Sequence, residues 1–178
     1  YTTDLNRVKD SHLVFEAIIK NKDIKTSLFN KLRELCSSST FFFTNTSSIP
    51  ISVIDHGAQL EGRIVGYHFY NPPAVQKLVE VISNKETNKD LLSLANELGK
   101  RLGKKLIPSN DIAGFIGNGH FIRDGLYAVK ETQNLTSFQE FEAIYAINKI
   151  SQEYLVRPMG IFQLMDYVGI DVFRFIMV

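Results

Sequence analysis

Hydrophobic residues in the first 109 positions form two alternating patterns. Short unbroken apolar runs are separated by stretches in which apolar residues recur every three or four positions, as on a helix with one buried face. An aromatic run at 40–45 is typical of a strand that is buried on both sides. The patterns predict strands at 12–19, 40–45, 63–69, 77–82 and 104–109, and helices at 23–35, 49–55 and 88–102. Such alternation indicates an α/β sheet with crossover helices.

Polar residues suggest where several of these helices begin. The segment Thr46-Ser47-Ser48 precedes the short second helix, and Pro50 is expected in its first turn. Thr87 is a candidate cap for the third helix.

The pattern changes after residue 110. Three longer stretches, at 112–131, 137–155 and 158–177, have apolar residues at helical spacing. Ser137 and Glu140 have the spacing of a capping box for the second stretch. We therefore predict two domains, an α/β domain over 1–109 and an all-α domain over 110–178.

Composition and charge limit the classes of protein to which this chain can belong. The 178 residues are 44% hydrophobic and 22% charged, with a net charge of +1, which is ordinary for a globular protein and shows no basic face for nucleic acid. No apolar run approaches the roughly 20 residues that span a bilayer. The start is polar, without a signal-peptide core, so we expect a cytoplasmic protein, or a mitochondrial matrix protein in a eukaryote.

The single cysteine and the absence of metal-ligand spacing argue against an internal disulfide, a hydrolase and a metal site. Cys36 ends an amphipathic stretch, where a packed thiol is the expected role, and it cannot form an internal disulfide. A hydrolase that uses Cys36 or His68 would need a nucleophile–base or metal pattern that the sequence lacks. We expect no metal site.

His68 and Glu80 stand out because each lies in an otherwise apolar run, at equal distances from Ala74. If the strands at 63–69 and 77–82 pair antiparallel, the two side chains face each other, with Cβ atoms about 5 Å apart. A carboxylate beside an imidazole fixes the ring tautomer and favours the imidazolium, as in general acid–base catalysis. A structural ion pair in a half-buried sheet is the alternative, and spacing alone favours it, because buried ion pairs are not rare.

Four motifs point to one family. The stretch GYHFYNPPAVQKLVEVI at 66–82 resembles the G-x-H-F-F-N-P-x-x-x-x-K-L-V-E-V signature of the L-3-hydroxyacyl-CoA dehydrogenase family. TFFFTNTSSIPIS, NDIAGFIGN and RPMGIFQLMDYVGIDV resemble other family motifs, in the family's order and spacing. The resemblance covers nearly the whole chain. It implies a partial Rossmann-type NAD-binding domain followed by a helical C-terminal domain.

The resemblance also implies residue roles. His68 would be the general base that removes the proton from the 3-hydroxyl of an acyl-CoA substrate, and Glu80 its electrostatic partner. Ser47 and Asn118 would contact the substrate oxygens, although a helix cap and a helix-start amide are their alternative roles. Lys25, Ser47 and Asn71 would contact NAD. Family members also commonly form homodimers through the helical domain.

Some positions depart from the family. Lys20 stands where an acid that contacts the cofactor is usual, and Ala113, Gly119 and Ile161 replace other usual residues. No G-x-G-x-x-G turn follows a strand. We expect residues 1–109 to be the second part of a dinucleotide-binding domain whose first part is not in this chain. By itself the chain should then neither bind NADH tightly nor turn over acetoacetyl-CoA.

Two functions remain. One is an NAD-dependent 3-hydroxyacyl-CoA dehydrogenase, acting in β-oxidation or in the reductive direction. The other is a non-catalytic interaction or structural relative that kept the fold and lost the cofactor site. Retention of Ser47, His68, Glu80 and Asn118 favours the enzyme, whereas Lys20 and the missing glycines favour the relative.

Overall fold

A computed structural model describes residues 1–19 and 21–177, which form two compact units, Tyr1–Ile116 and Gly117–Val178. The first unit is α/β and the second is all-α, so the predicted fold class is confirmed. The division into domains at residues 109 and 110 stays a prediction.

The first unit is built on a five-stranded sheet in the order β1-β2-β3-β4-β5. β1, β2 and β3 are parallel, β3 and β4 are antiparallel, and β4 and β5 are parallel. A short 3-10 helix at Leu5–Val8 precedes the sheet. The strands are β1 (Leu13–Glu16), β2 (Phe41–Thr44), β3 (Ile64–Phe69), β4 (Leu78–Ser83) and β5 (Lys105–Asn110), and the helices are α1 (Lys22–Leu35), α2 (Ile51–Ala58) and α3 (Lys89–Arg101).

Helices cover both faces of this sheet. α1 and α2 contribute Phe29, Leu32 and Ile54 to a buried cluster with sheet residues that include Phe42 and Ile64. On the other face, α3 packs its Leu91 and Ala95 side chains against Phe43, Val65 and Tyr67. Phe42 and Phe43 are both fully buried, which confirms that the aromatic run forms a strand buried on both sides.

Two helix caps differ from the predicted ones. Pro50 is the N-cap residue of α2 and not part of its first turn, and no local side chain caps that helix. Asn88 caps α3 by accepting from two backbone N–H groups, because the Thr87 side chain is engaged with Asn84. The α2 cap comes from Asp111, whose carboxylate accepts from the N–H groups of Ile51 and Ser52.

The second unit contains four helices in its described part: α4 (Gly117–Asn134), α5 (Glu140–Glu153), α6 (Ile161–Val168) and α7 (Ile170–Met177). Three corrections follow. Residues 112–116 are not helical, since α4 begins at Gly117. The carboxylate that accepts from the backbone at the start of α5 belongs to Glu142, which bonds the Gln139 N–H at 2.9 Å, so Ser137 and Glu140 do not form the capping box. The third predicted helix is broken at Gly169, whose φ is 102°.

α4 packs against the other three helices of the second unit. Gly125 permits one close approach, because a Cβ there would lie 2.6 Å from the Phe173 ring. Asn148 and Ser151 of α5 accept hydrogen bonds from the first backbone N–H groups of α6. Among the described residues, no helix is both long and apolar enough to cross a membrane.

Gly66 should be intolerant of a side chain. A Cβ at this position of β3 would lie 2.8 Å from Ile82 Cβ and 2.9 Å from Ile51 Cδ1, which are both fully buried. We expect Gly66→Ala to lower the free energy of unfolding by about 1–3 kcal/mol, as overpacking of a core does. Urea unfolding followed by circular dichroism measures it, with Ser93→Ala on the exposed face of α3 as the control. Equal stability of the two variants would contradict the close packing of α2 on β3.

Candidate active site

His68 and Glu80 form a buried pair at the end of β3. The antiparallel register places the two residues directly opposite each other. His68 Nδ1 lies 2.6 Å from Glu80 Oε2, and their side chains are 8% and 1% exposed. The predicted pairing across adjacent strands is therefore confirmed.

The pair sets the chemistry of the imidazole. An ionised carboxylate can only accept hydrogen bonds, so in the contact with an ionised Glu80 the His68 Nδ1 is the donor. This tautomer leaves the lone pair on Nε2, which is the atom that would accept a proton from a substrate. The ring centroids of Tyr70 and Phe115 lie 5.2 and 5.8 Å from that of the imidazole.

Glu80 is held at its second oxygen as well. Its Oε1 accepts from the backbone N–H of Ile116 at 3.1 Å. Ile116 lies in the segment between β5 and α4, and no sequence pattern pointed to this contact. The carboxylate that orients the histidine is thus fixed at both oxygens.

A second buried ion pair lies at the end of β1. Lys25 Nζ is 2.5 Å from Glu16 Oε1, and both side chains are 1% exposed. The other Glu16 oxygen accepts from the Thr44 hydroxyl at 2.5 Å, and Lys25 also donates to the Ile18 carbonyl. Lys25, a predicted cofactor residue, is therefore held inside the first unit by Glu16. Glu16 was missed, and its only signal in the sequence was a charge within an apolar run.

The other predicted residues lie in three places. Ser47 is buried in the segment that follows β2, and Asn71 is exposed after β3. Asn45 joins these two segments, since its side-chain oxygen accepts from the Phe69 N–H at 2.9 Å. Asn118 is partly buried in the first turn of α4, in the second unit. Lys20 lies outside the described residues.

Cys36 has no features of a nucleophile. Its thiol is buried and donates to the Val8 carbonyl at 3.5 Å. Burial raises the pKa of this thiol, so the thiolate that would react is disfavoured. The packed role expected from the sequence agrees with this geometry.

The polar residues of the first unit lie where this type of fold binds nucleotides. Glu16 and Thr44 end two parallel strands, Ser47 follows the second, and His68 is near the end of the third. In open α/β sheets, ligands bind outside the carboxyl ends of the strands. The fold and site define a Rossmann-like α/β domain with a histidine–carboxylate pair.

Comparisons with known proteins identify the family. Residues 1–112 match the family model described as "3-hydroxyacyl-CoA dehydrogenase, NAD binding domain". The chain is 33% identical over 174 residues to the "Probable 3-hydroxybutyryl-CoA dehydrogenase" of Deinococcus radiodurans, covering 96% of this chain and 60% of the relative. It is 35% identical over 169 residues to the mitochondrial hydroxyacyl-coenzyme A dehydrogenase of Homo sapiens, covering 95% and 52% of the two chains.

A solved structure agrees with these relatives. The crystal structure of 3-hydroxybutyryl-CoA dehydrogenase from Escherichia coli K12 superposes with a TM-score of 0.81 at 32% identity, over 96% of this chain and 35% of that chain. The chain therefore belongs to the 3-hydroxyacyl-CoA dehydrogenase family, as its motifs predicted, and the family model names NAD as the cofactor. It spans 60% and 52% of the length of the two curated relatives above.

Removal of one partner from the Glu16–Lys25 pair should destabilise the first unit strongly. Lys25→Met leaves the Glu16 carboxylate buried without its counter-charge, which typically costs about 3–5 kcal/mol of unfolding free energy. The double variant Glu16→Gln/Lys25→Met should lose less than the sum of the two single variants, because no unpaired charge remains.

Urea unfolding of the four proteins in this cycle measures the coupling. The exposed pair Lys149–Glu153 supplies the control, since its side chains are 46% and 59% exposed. Lys149→Met should cost no more than about 0.5 kcal/mol. If the losses of unfolding free energy in the two single variants, at Glu16 and at Lys25, add up to the loss in the double variant, this result would contradict a buried, mutually dependent pair.

Proposed function

We propose that the protein catalyses the NAD-dependent oxidation of L-3-hydroxyacyl-CoA to 3-oxoacyl-CoA, or the reverse reduction, in fatty-acid metabolism. The observation that carries this proposal is the buried His68–Glu80 hydrogen bond at the strand ends of an NAD-binding family domain. A base and a carboxylate that orients it are what removal of a hydroxyl proton requires.

In this proposal His68 transfers one proton and Glu80 assists the transfer. Nε2 takes the proton of the 3-hydroxyl while the C3–O bond becomes a carbonyl, and in the reductive direction Nε2 returns it. Glu80 stabilises the imidazolium formed on the way, and does so more effectively because the pair is buried. Bound NAD would accept the hydride that leaves C3.

Other residues would orient the reactants. The hydroxyl of Ser47 and the amide of Asn118 can donate hydrogen bonds to the substrate oxygens, which polarises the reacting carbon. Lys25, Ser47 and Asn71 would hold the nicotinamide half of the cofactor. Glu16 fixes the ammonium of Lys25, so this side chain would already be in position before the cofactor arrives.

A non-catalytic relative is the second candidate. Lys20 favours it, because a positive charge replaces the acid that usually contacts the cofactor in this family. The intact His68–Glu80 pair favours the enzyme, although a structural ion pair would have the same geometry. We place the enzyme in the cytoplasm, or in the mitochondrial matrix of a eukaryote, and we propose no nucleic-acid partner.

Substitution of the histidine distinguishes the two candidates. In the whole protein, His68→Gln should lower kcat for acetoacetyl-CoA reduction by about 10²–10⁴-fold, the usual contribution of a general base. NADH affinity, measured by fluorescence titration, should stay nearly unchanged. The matched control is His56→Gln, since His56 forms a similar 2.7 Å contact with Glu86 at the surface. Wild-type turnover by His68→Gln would exclude the proposed base.

We also propose that the protein is a homodimer that associates through its helical part. The connection between α5 and α6 carries three consecutive exposed apolar side chains, Tyr154, Leu155 and Val156, which are 78%, 59% and 87% exposed. An exposed patch of this kind usually marks an interface. The alternative is that these side chains stay in solvent and the protein is a monomer.

Val156→Asn tests this association without loss of the fold. Val156 has a φ of 52°, a left-handed conformation that asparagine adopts more readily than valine. The variant should therefore keep its melting temperature while it shifts the whole protein from dimer toward monomer. Light scattering over a range of concentrations measures the shift. A wild-type monomer at high concentration would contradict the proposed dimer.

A further inference from the structure

The connection between β5 and α4, residues 111–116, is tied to the rest of the first unit by three contacts; we call it the strap. The Asp111 carboxylate accepts from the first backbone N–H groups of α2, with 2.8 Å to the Ser52 nitrogen. The Gly114 N–H donates to the Ser48 carbonyl at 3.4 Å. The Ile116 N–H donates to Glu80 Oε1 at 3.1 Å.

The strap has a backbone shape that its surroundings must maintain. Gly114 and Phe115 both adopt left-handed conformations, with φ of 76° and 52°. For a residue with a large side chain this conformation persists only where neighbouring contacts over-determine it. It turns the Phe115 ring inward, where it is 4% exposed and 5.8 Å from the imidazole of His68.

Asp111 is the anchor of this segment. α2 has no local side-chain cap, because its N-cap residue is Pro50. The unpaired N–H groups at the start of a helix are ready to bind a carboxylate, and Asp111 provides one from sixty positions along the chain. One side chain therefore satisfies the start of α2 and fixes the start of the strap.

We propose that Asp111 is a positioning residue for the His68–Glu80 pair and acts through the strap. With Asp111 in place, the strap holds its Ile116 N–H against one oxygen of Glu80 and its Phe115 ring against His68. Without that anchor, the Glu80 carboxylate loses the hydrogen bond from Ile116 and rotates more freely. His68 then samples other ring orientations and other tautomers. The effect on turnover rests on the proposed function, whereas the effect on the pair does not.

The matched comparison is between Asp111→Ala and Asn88→Ala. Each removes a side chain that accepts from two backbone N–H groups in the first turn of a helix, α2 in one case and α3 on the opposite face of the sheet in the other. Both should lower the melting temperature of the 178-residue chain. Only Asp111→Ala should raise the hydrogen-exchange rate of the Ile116 amide, by tenfold or more. Only Asp111→Ala should shift the ring nitrogen resonances of His68 toward a mixture of tautomers in ¹⁵N NMR.

The conservative variant Asp111→Asn should restore both readouts in part. The N–H groups of Ile51 and Ser52 bond different oxygens of Asp111, so the amide oxygen of asparagine keeps one of these contacts while its NH2 group, a donor, cannot replace the other. Should Asp111→Ala fail to fold, Asp111→Ser replaces it, since its hydroxyl is one bond too short to keep both contacts. The proposal would be overturned if the folded variant matched the wild type both in the exchange rate of the Ile116 amide and in the ring nitrogen resonances of His68.

Turnover in the whole protein separates this proposal from the proposed function. Asp111→Ala should lower kcat by about tenfold or more with little change in the KM for NADH, a pattern typical of a lost orientation effect. If His68→Gln retains full turnover, the proposed function fails, while the NMR and exchange results still decide whether Asp111 orients the pair.

Discussion

The antiparallel pairing of β3 with β4 is the constraint on which the candidate site depends. Side chains alternate between the two faces of a strand, so a register shift of one residue would turn Glu80 away from His68. The observed register places them directly opposite each other. Both then lie on the face that α1 and α2 cover, where Gly66 lets α2 approach closely. The packing of that helix and the geometry of the pair are therefore set by the same register.

The two buried ion pairs near the strand ends differ in whether they leave a polar atom available to a ligand. Removing charges from water is costly, so each stays buried only with its partner and further hydrogen bonds. Both Glu16 oxygens and the Lys25 ammonium bind protein atoms of the first unit, which makes that pair self-sufficient. In the His68–Glu80 pair the bond uses one ring nitrogen and leaves the other for a proton from outside. In the proposed function, the first pair would fix the position of the Lys25 side chain, whereas the second would take part in the proton transfer.

The parts of the structure that the sequence predicted are those set by short-range patterns. Apolar runs located all five strands, and the equal spacing of His68 and Glu80 about Ala74 predicted their contact, because a hairpin-like return pairs residues symmetrically. Contacts between distant segments left no such pattern. Asp111 caps a helix that begins sixty residues earlier, and nothing near Ile51 signals it. The break at Gly169 was also missed, because apolar spacing continues through α6 and α7 on both sides of it.

The strap shows how a few contacts that the sequence did not predict fix the geometry of the candidate site. Its four hydrogen bonds join the end of the sheet to the start of α2, to the segment that carries Ser47, and to Glu80. All four are made by residues of the first unit, Tyr1–Ile116. Each bond is modest alone, but bonds that share a short segment reinforce one another, since breaking one frees the backbone that the others hold. In the proposed function, a histidine oriented in this way would need no reorganisation when a substrate hydroxyl arrives, which is the condition for efficient proton transfer.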